Sequence, residues 1–139
     1  MSSRTATVRA AIKAAIEAAV SVPVLDAIEA SEARVARYAA FVVLAYAGRS
    51  IEPLAELGGT RQMQRWRWDI VIVGGAGASS PATSEDAVLA ILDQIEDALT
   101  GLKPAADCGP LQAADLSPAE LYGSRIGYRY RWQHEYWRG

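Results

Sequence analysis

Apolar and polar positions follow two different periods along this chain. In residues 5–20, Val8, Ala11, Ile12, Ala15, Ile16, Ala19 and Val20 recur at spacings of three and four, which predicts a helix with one apolar stripe. Arg9, Lys13 and Glu17 fall on its exposed side, and Pro23 ends it. Val88, Ile91, Leu92, Ile95, Ala98, Leu99 and Leu102 repeat the pattern, with Asp93, Glu96 and Asp97 opposite them. Thr83 or Ser84 caps this second helix, Glu85 and Asp86 suit the positive end of its dipole, and Gly101 with Pro104 stops it.

The other period is two. Arg65-Trp66-Arg67-Trp68 and Arg129-Tyr130-Arg131-Trp132 alternate cation and ring, and successive side chains of a strand point to opposite faces. The first run continues through Asp69 into Ile70-Val71-Ile72-Val73, which puts Trp66, Trp68, Ile70 and Ile72 on one face. The second, continuing through Gln133-His134-Glu135, puts Ile126, Tyr128, Tyr130, Trp132 and Tyr136 on one face. In both strands the arginines take the reverse face. Phe41-Val42-Val43-Leu44-Ala45-Tyr46 is β-branched and aromatic and predicts a buried strand stopping at Gly48. Val22–Ile28 predicts a short strand, and residues 29–37 suit either a helix or a connection. Residues 50–62, with Pro53 and Gly58-Gly59, read as a loop, as does the glycine- and serine-rich stretch 74–82.

This order predicts an α+β fold, mainly antiparallel β-sheet with two amphipathic helices packed on one face. At 139 residues the chain predicts a single domain spanning residues 1–139. Charged residues make up 22% of it and the formal net charge is −2, so no overall attraction to nucleic acid is expected despite the clustered arginines. The one cysteine, Cys108, cannot form a disulfide within the chain. The chain opens without the apolar stretch of a secretion signal, and its longest apolar run falls well below the roughly 20 residues that span a bilayer. A cytosolic unit without membrane contact is expected.

Catalytic chemistry finds little support. The glycine-rich stretch 74–79 follows a strand and precedes a helix, but it has neither the Lys-Ser/Thr of a nucleotide loop nor the glycine spacing of a dinucleotide site. The only histidine, His134, lacks partners for a zinc site or a triad and reads as a strand-surface or packed residue. No catalytic, metal or cofactor residues are assigned. Arginine with aromatics can grip phosphates and stack bases. Here the two residue types occupy opposite faces.

Several segments, taken in order, resemble the Mu-like phage minor tail proteins, a family similar to the tail terminators of long-tailed bacteriophages. They are Leu44-Ala45-Tyr46-Ala47-Gly48-Arg49, the strand Gln64 to Val73, Leu99-Thr100-Gly101-Leu102-Lys103-Pro104, Cys108-Gly109-Pro110-Leu111, and the aromatic last strand. The resemblance spans roughly residues 5–137. It implies a non-enzymatic virion protein that closes into a ring, usually a hexamer, at the head-proximal end of the tail tube. Such a ring ends tube polymerisation and docks the head-completion or neck protein, with the sheath protein as a further partner in contractile tails. The expected location is the virion tail, or a tail-like particle, assembled in the host cytoplasm. A neck or stopper protein is the alternative, and a small nucleotide- or nucleic-acid-binding domain using the glycine-rich loop is a third.

A ring protomer needs two unlike, complementary patches, because each subunit meets a different surface on either side. Arg65, Arg67, Arg129 and Arg131 on the strands, and Asp93, Glu96 and Asp97 on the second helix, are the candidate interface residues. Arginine's planar fork suits a fixed contact with carboxylates.

Overall fold

The computed structural model describes residues 3–31, 35, 38–52, 62–75, 81–119 and 125–138. Helix α1 is Arg4–Ala19. Strand β1, Val24–Asp26, runs into a single 3-10 turn, Ala27–Glu29. Strands β2, Phe41–Ile51, and β3, Gln62–Gly74, precede helix α2, Pro81–Leu99. Strands β4, Gln112–Pro118, and β5, Ile126–Arg138, follow. The strands form one sheet in the order β1-β2-β3-β5-β4, antiparallel except where β1 lies parallel to β2. This is an α+β fold with a mainly antiparallel sheet and two helices.

Both helices face as their patterns dictate. The Ser3 hydroxyl caps α1 by accepting from the Ala6 amide at 2.9 Å. Val8, Ile12 and Ile16 of α1 and Val88, Ile91, Leu92, Ile95 and Leu99 of α2 are buried against one sheet face. There they meet Trp66, Trp68, Ile70 and Ile72 of β3 and Tyr130, Trp132 and Tyr136 of β5. The two arginine–aromatic strands are direct neighbours, with Trp68 opposite Trp132.

Several boundaries differ from the sequence reading. Helix α2 begins at Pro81, ahead of Thr83 and Ser84, since proline's fixed φ suits the first helical position. It ends at Leu99, and Gly101 takes φ +80° just beyond. Within Val22–Ile28 only Val24–Asp26 is strand, and the 3-10 turn takes the rest of that segment's end. Of residues 29–37 only 29–31 and Val35 are described, and the glycine-rich stretch 76–80 lies outside the described residues. Strand β2 does not stop at Gly48 but runs on to Ile51, and β3 starts at Gln62, so the expected loop loses both its ends to strand. The register slips between Tyr46 and Gly48, where Gly48 adopts φ +100°. This bulge resets the alternation: Tyr46 stands opposite Trp68, and Arg49, three residues on, stands opposite Trp66. Both therefore point to the helix-covered face.

The reverse face is closed at one end. Leu25, Val35, Phe41 and Val73 form a second, smaller apolar cluster there, with Tyr38, Val43 and Val71 against it. Val24 packs in the main core while its neighbour Leu25 packs in this one. The Arg125 Nη2 donates to the carbonyls of Val35 and Tyr38 at 3.3 and 2.8 Å, and its guanidinium lies 5.4 Å from the centre of the Phe41 ring. One arginine thus holds the connection before β2 onto the sheet.

Candidate functional site

The aromatic rows form the interior of the protein. Trp66, Trp68 and Trp132 are 0% exposed. The Trp66 ring centre lies 4.8 Å from that of Tyr136 and 5.4 Å from that of His134, and Tyr130 lies 4.9 Å from Trp132. Pairs of this geometry stabilise by about 0.5–1.5 kcal/mol beyond the area they bury. The indole N–H of Trp68 donates to His134 Nε2 at 3.1 Å, so the imidazole's proton sits on Nδ1, which donates to the Glu135 carbonyl at 3.0 Å. His134 is therefore a packed core histidine, one of the two roles its position allowed.

Burial, and secondarily the nearby Arg49, push the His134 pKa below its ordinary 6.5. The unfolded chain thus takes up this proton more readily than the native protein. Stability is fully present above about pH 6.5 and is lost as pH falls from there towards the lowered native value, by up to about 1.4 kcal/mol per pH unit. Urea unfolding between about pH 5 and 7.5 is expected to show this slope in the wild type. His134→Gln, which keeps an acceptor for Trp68, is expected to flatten it; an unchanged slope would assign it to other groups.

Arg49 closes the aromatic cluster next to α1. Its guanidinium lies 3.8 Å from the Trp66 ring centre, Nη1 donates to Gln64 Oε1 at 3.2 Å, and Nη2 donates to Thr5 Oγ1 at 2.7 Å. Its Nε donates to the Tyr46 hydroxyl, and Trp66 Nε1 donates to the same Gln64 oxygen at 2.8 Å. Gln64, 3% exposed, is thereby satisfied. Neither Arg49 nor Arg125 stands out in the sequence, because neither belongs to an alternating run.

The four arginines singled out by sequence all lie on β3 and β5 and point away from the helices. They do not act alike. Arg131 grips Asp69 of the neighbouring strand with two hydrogen bonds, Nε to Oδ1 at 2.8 Å and Nη2 to Oδ2 at 3.0 Å. This bidentate bond raises the Arg131 pKa further, and Asp115 of β4 stands opposite on its other side. Arg67 donates to Ser50 Oγ at 3.3 Å. Arg65 stands opposite Glu135, and Arg129 stands between Val71 and Ser117. Asp93, Glu96 and Asp97 are exposed along α2, but Glu96 accepts from the Tyr130 hydroxyl at 2.8 Å. Burial and that bond push the Tyr130 pKa up to about 12. Tyr128 likewise donates to Glu85, at 3.1 Å. Of the two expected patches, Arg131, Glu96 and Arg67 make contacts within the protomer, whereas Asp93, Asp97 and Arg129 are exposed and Arg65 is half-buried.

Cys108 is buried beside Tyr136, and burial first, then Asp107, pushes its thiol up to about 11, which leaves it an unreactive packed group at neutral pH. Among the described residues no three His, Cys, Asp or Glu side chains are grouped to hold a metal, and no helix is long and apolar enough to cross a membrane.

No family model matches the chain, and no curated protein matches it. Among solved structures, a chain of the virion of a native gene transfer agent particle superposes with a TM-score of 0.61 at 14% identity, covering 94% of each chain. At that identity the likeness is one of fold.

Proposed function

We propose that this protein is a structural component of a phage-like particle, and within it a tail-terminator-like subunit. The subunit closes into a ring, as a hexamer, on the head-proximal end of the tail tube. The ring stops tube growth and docks a head-completion or neck protein, and in a contractile tail it also meets the sheath. The superposition of nearly the whole chain on nearly the whole of a virion chain supports the place in a phage-like particle, and the finer role of terminator and ring goes beyond it. The ordered segments that resemble the Mu-like minor tail proteins point the same way.

The side chains agree with an assembly role more than with nucleic-acid binding. A base-stacking surface needs aromatic faces open to solvent, and the three tryptophans of the arginine runs that reach the core, Trp66, Trp68 and Trp132, have none. The exposed charges instead lie in two different layers, Asp93 and Asp97 on α2 and Arg129 on the sheet with Arg65 half-buried six rows along, and a head-to-tail contact needs two such unlike surfaces.

Size-exclusion chromatography with light scattering, and electron micrographs of the protein mixed with its tube protein, test the reading. Closed rings and tubes of limited length are expected. Arg65→Glu with Arg129→Glu is expected to keep the fold and weaken ring formation or capping, because neither residue is committed to an in-chain ion pair among the described residues. A protein that stays monomeric at every concentration, and leaves tube growth unchanged, would overturn the proposal.

A further inference from the structure

Exposed apolar side chains gather along two opposite borders of this protein. Six large ones are exposed among the described residues, and five of them, Ile28, Tyr46, Ile51, Leu89 and Leu116, lie where the sheet and its helices end sideways. Apolar residues gathered in one place mark a contact surface, whereas single scattered ones are ordinary.

One border is made by α2 and β4. Strand β4 pairs with β5 on one side and with no strand on the other among the described residues. Leu116 of β4 stands opposite Tyr130, on the helix-covered side. Over it runs one flank of α2. The Tyr128 and Tyr130 hydroxyls donate to Glu85 and Glu96, and Leu89 and Asp93 fall between those carboxylates at helical spacing. Helix α2 has five acidic residues and no lysine or arginine.

The opposite border is made by α1, β1, the 3-10 turn and the outer edge of β2. Strand β1 pairs with β2 only at residues 42–44, so residues 45–51 have no strand on that side among the described residues. Ile28 projects from the turn at 93% exposure, and α1 holds the turn from above: Lys13 Nζ lies 3.5 Å from Asp26 Oδ2 and 3.6 Å from Glu29 Oε1. Arg9 is exposed and reaches Asp26 only at 3.9 Å. Helix α1 carries three basic residues against one acidic.

The two borders stand at one level. Asp26, Leu44, Ile70, Tyr130 and Leu116 form a single row across all five strands, with Arg9 beside one end of it and Glu96 beside the other. Ile28 follows Asp26 by two residues, and the turn stays beside β2, which carries Ile28 towards the next helix-facing row, that of Tyr46, Trp68, Trp132 and Ala113. Strand β4 runs opposite to β1 and β2, so copies set side by side by a rotation meet edge to edge in the antiparallel sense. Two unlike borders that fit each other make a head-to-tail contact, and such contacts generate a ring when the rotation closes.

We infer that the α2 and β4 border of one protomer seats against the α1, β1 and β2 border of a second copy of this chain. Leu116 and Leu89 then meet Ile28 and Tyr46, and the α2 carboxylates face Arg9. The apolar side chains form the centre of the contact, and the opposite charges fix which border meets which. This contact deepens the ring reading proposed above and rests on it.

The test uses the full chain, with assembly followed by light scattering over a range of concentrations. Ile28→Asp and, independently, Leu116→Asp are each expected to raise the concentration of half-assembly at least about tenfold, the change expected when one buried apolar contact is lost. Circular dichroism is expected to stay that of the wild type, since both side chains are exposed in the protomer. Arg9→Glu and Asp93→Arg are each expected to weaken assembly and, combined, to restore much of it, which a folding defect in either would not do. Pairing Ile28→Cys with Leu116→Cys under a mild oxidant is expected to give a ladder of disulfide-linked oligomers, while Cys108, at 3% exposure, does not take part. A wild type that never assembles would overturn the ring itself. Rings that persist unchanged in Ile28→Asp and Leu116→Asp, with no ladder from the cysteine pair, would overturn this contact and leave the ring standing. A combined charge variant no better than its parents would overturn the facing of α2 on Arg9.

Discussion

Trp68→Ala is expected to bring the protein close to unfolding. Deleting a buried tryptophan side chain costs about 3–5 kcal/mol through lost transfer energy and the cavity left behind. Trp68 is 0% exposed and has Tyr46, with ring centres 5.1 Å apart, on one side and Trp132 opposite on the next strand. The substitution also strips His134 Nε2 of its donor in a buried site, which adds about 1–3 kcal/mol. Together these approach the whole stability of an ordinary domain, about 5–15 kcal/mol. Urea unfolding by tryptophan fluorescence and circular dichroism measures the loss. Trp68→Phe separates the two parts, because it keeps most of the volume and removes only the N–H donor. A loss below about 1 kcal/mol for the alanine variant would place Trp68 outside the main core.

Arg49→Ala is expected to cost about 2–4 kcal/mol, from a cation–π contact with a buried indole and charge-assisted hydrogen bonds to Gln64 and Thr5. Arg49→Lys is expected to recover less than half. An ammonium can lie over Trp66, but it cannot hold Gln64, Thr5 and the ring together with one planar group. The same change carries a second readout. Arg49 contributes to the lowered pKa of His134, so removing the guanidinium is expected to move the histidine's titration back towards its ordinary value. Nuclear magnetic resonance of the single imidazole would follow it, and a titration that does not move would show burial acting alone.

The elements whose residues repeat at a clear period were legible in the chain. The stripes of α1 and α2 and the ring rows of β3 and β5 each bury one side, and burial of one side is what writes a period into a sequence. Strand β4 leaves no such mark for the converse reason: six of the seven residues Gln112–Pro118 are exposed, so nothing selects alternation, and backbone pairing with β5 alone defines it. Arg49 was hidden by the bulge at Gly48, which adds one residue and returns the side chain to the helix-covered face. The candidate interface was legible as a face but not as individual duties. That Arg131 belongs to Asp69 depends on a register between residues 62 positions apart, and that Glu96 belongs to Tyr130 depends on where a helix crosses a strand. Arg125 acts on backbone carbonyls, which leave no mark in the sequence at all.

The strand order also sets when each strand finds its partners as the chain emerges from the ribosome. Strand β5, the last of the described strands in chain order, sits inside the sheet between β3 and β4, and β4 has no other strand partner among the described residues. Until residues 126–138 are free, β3 lacks a neighbour along one whole side, and Trp66 and Trp68 lack the rings of Trp132 and Tyr136. Between the emergence of β3 and that of β5 the nascent chain therefore carries a tryptophan-bearing strand with one open edge, a species prone to aggregate. Completion of the core waits for β5, and a chain cut short before β5 leaves β3 with an open edge and β4 without its strand partner, not just a missing tail.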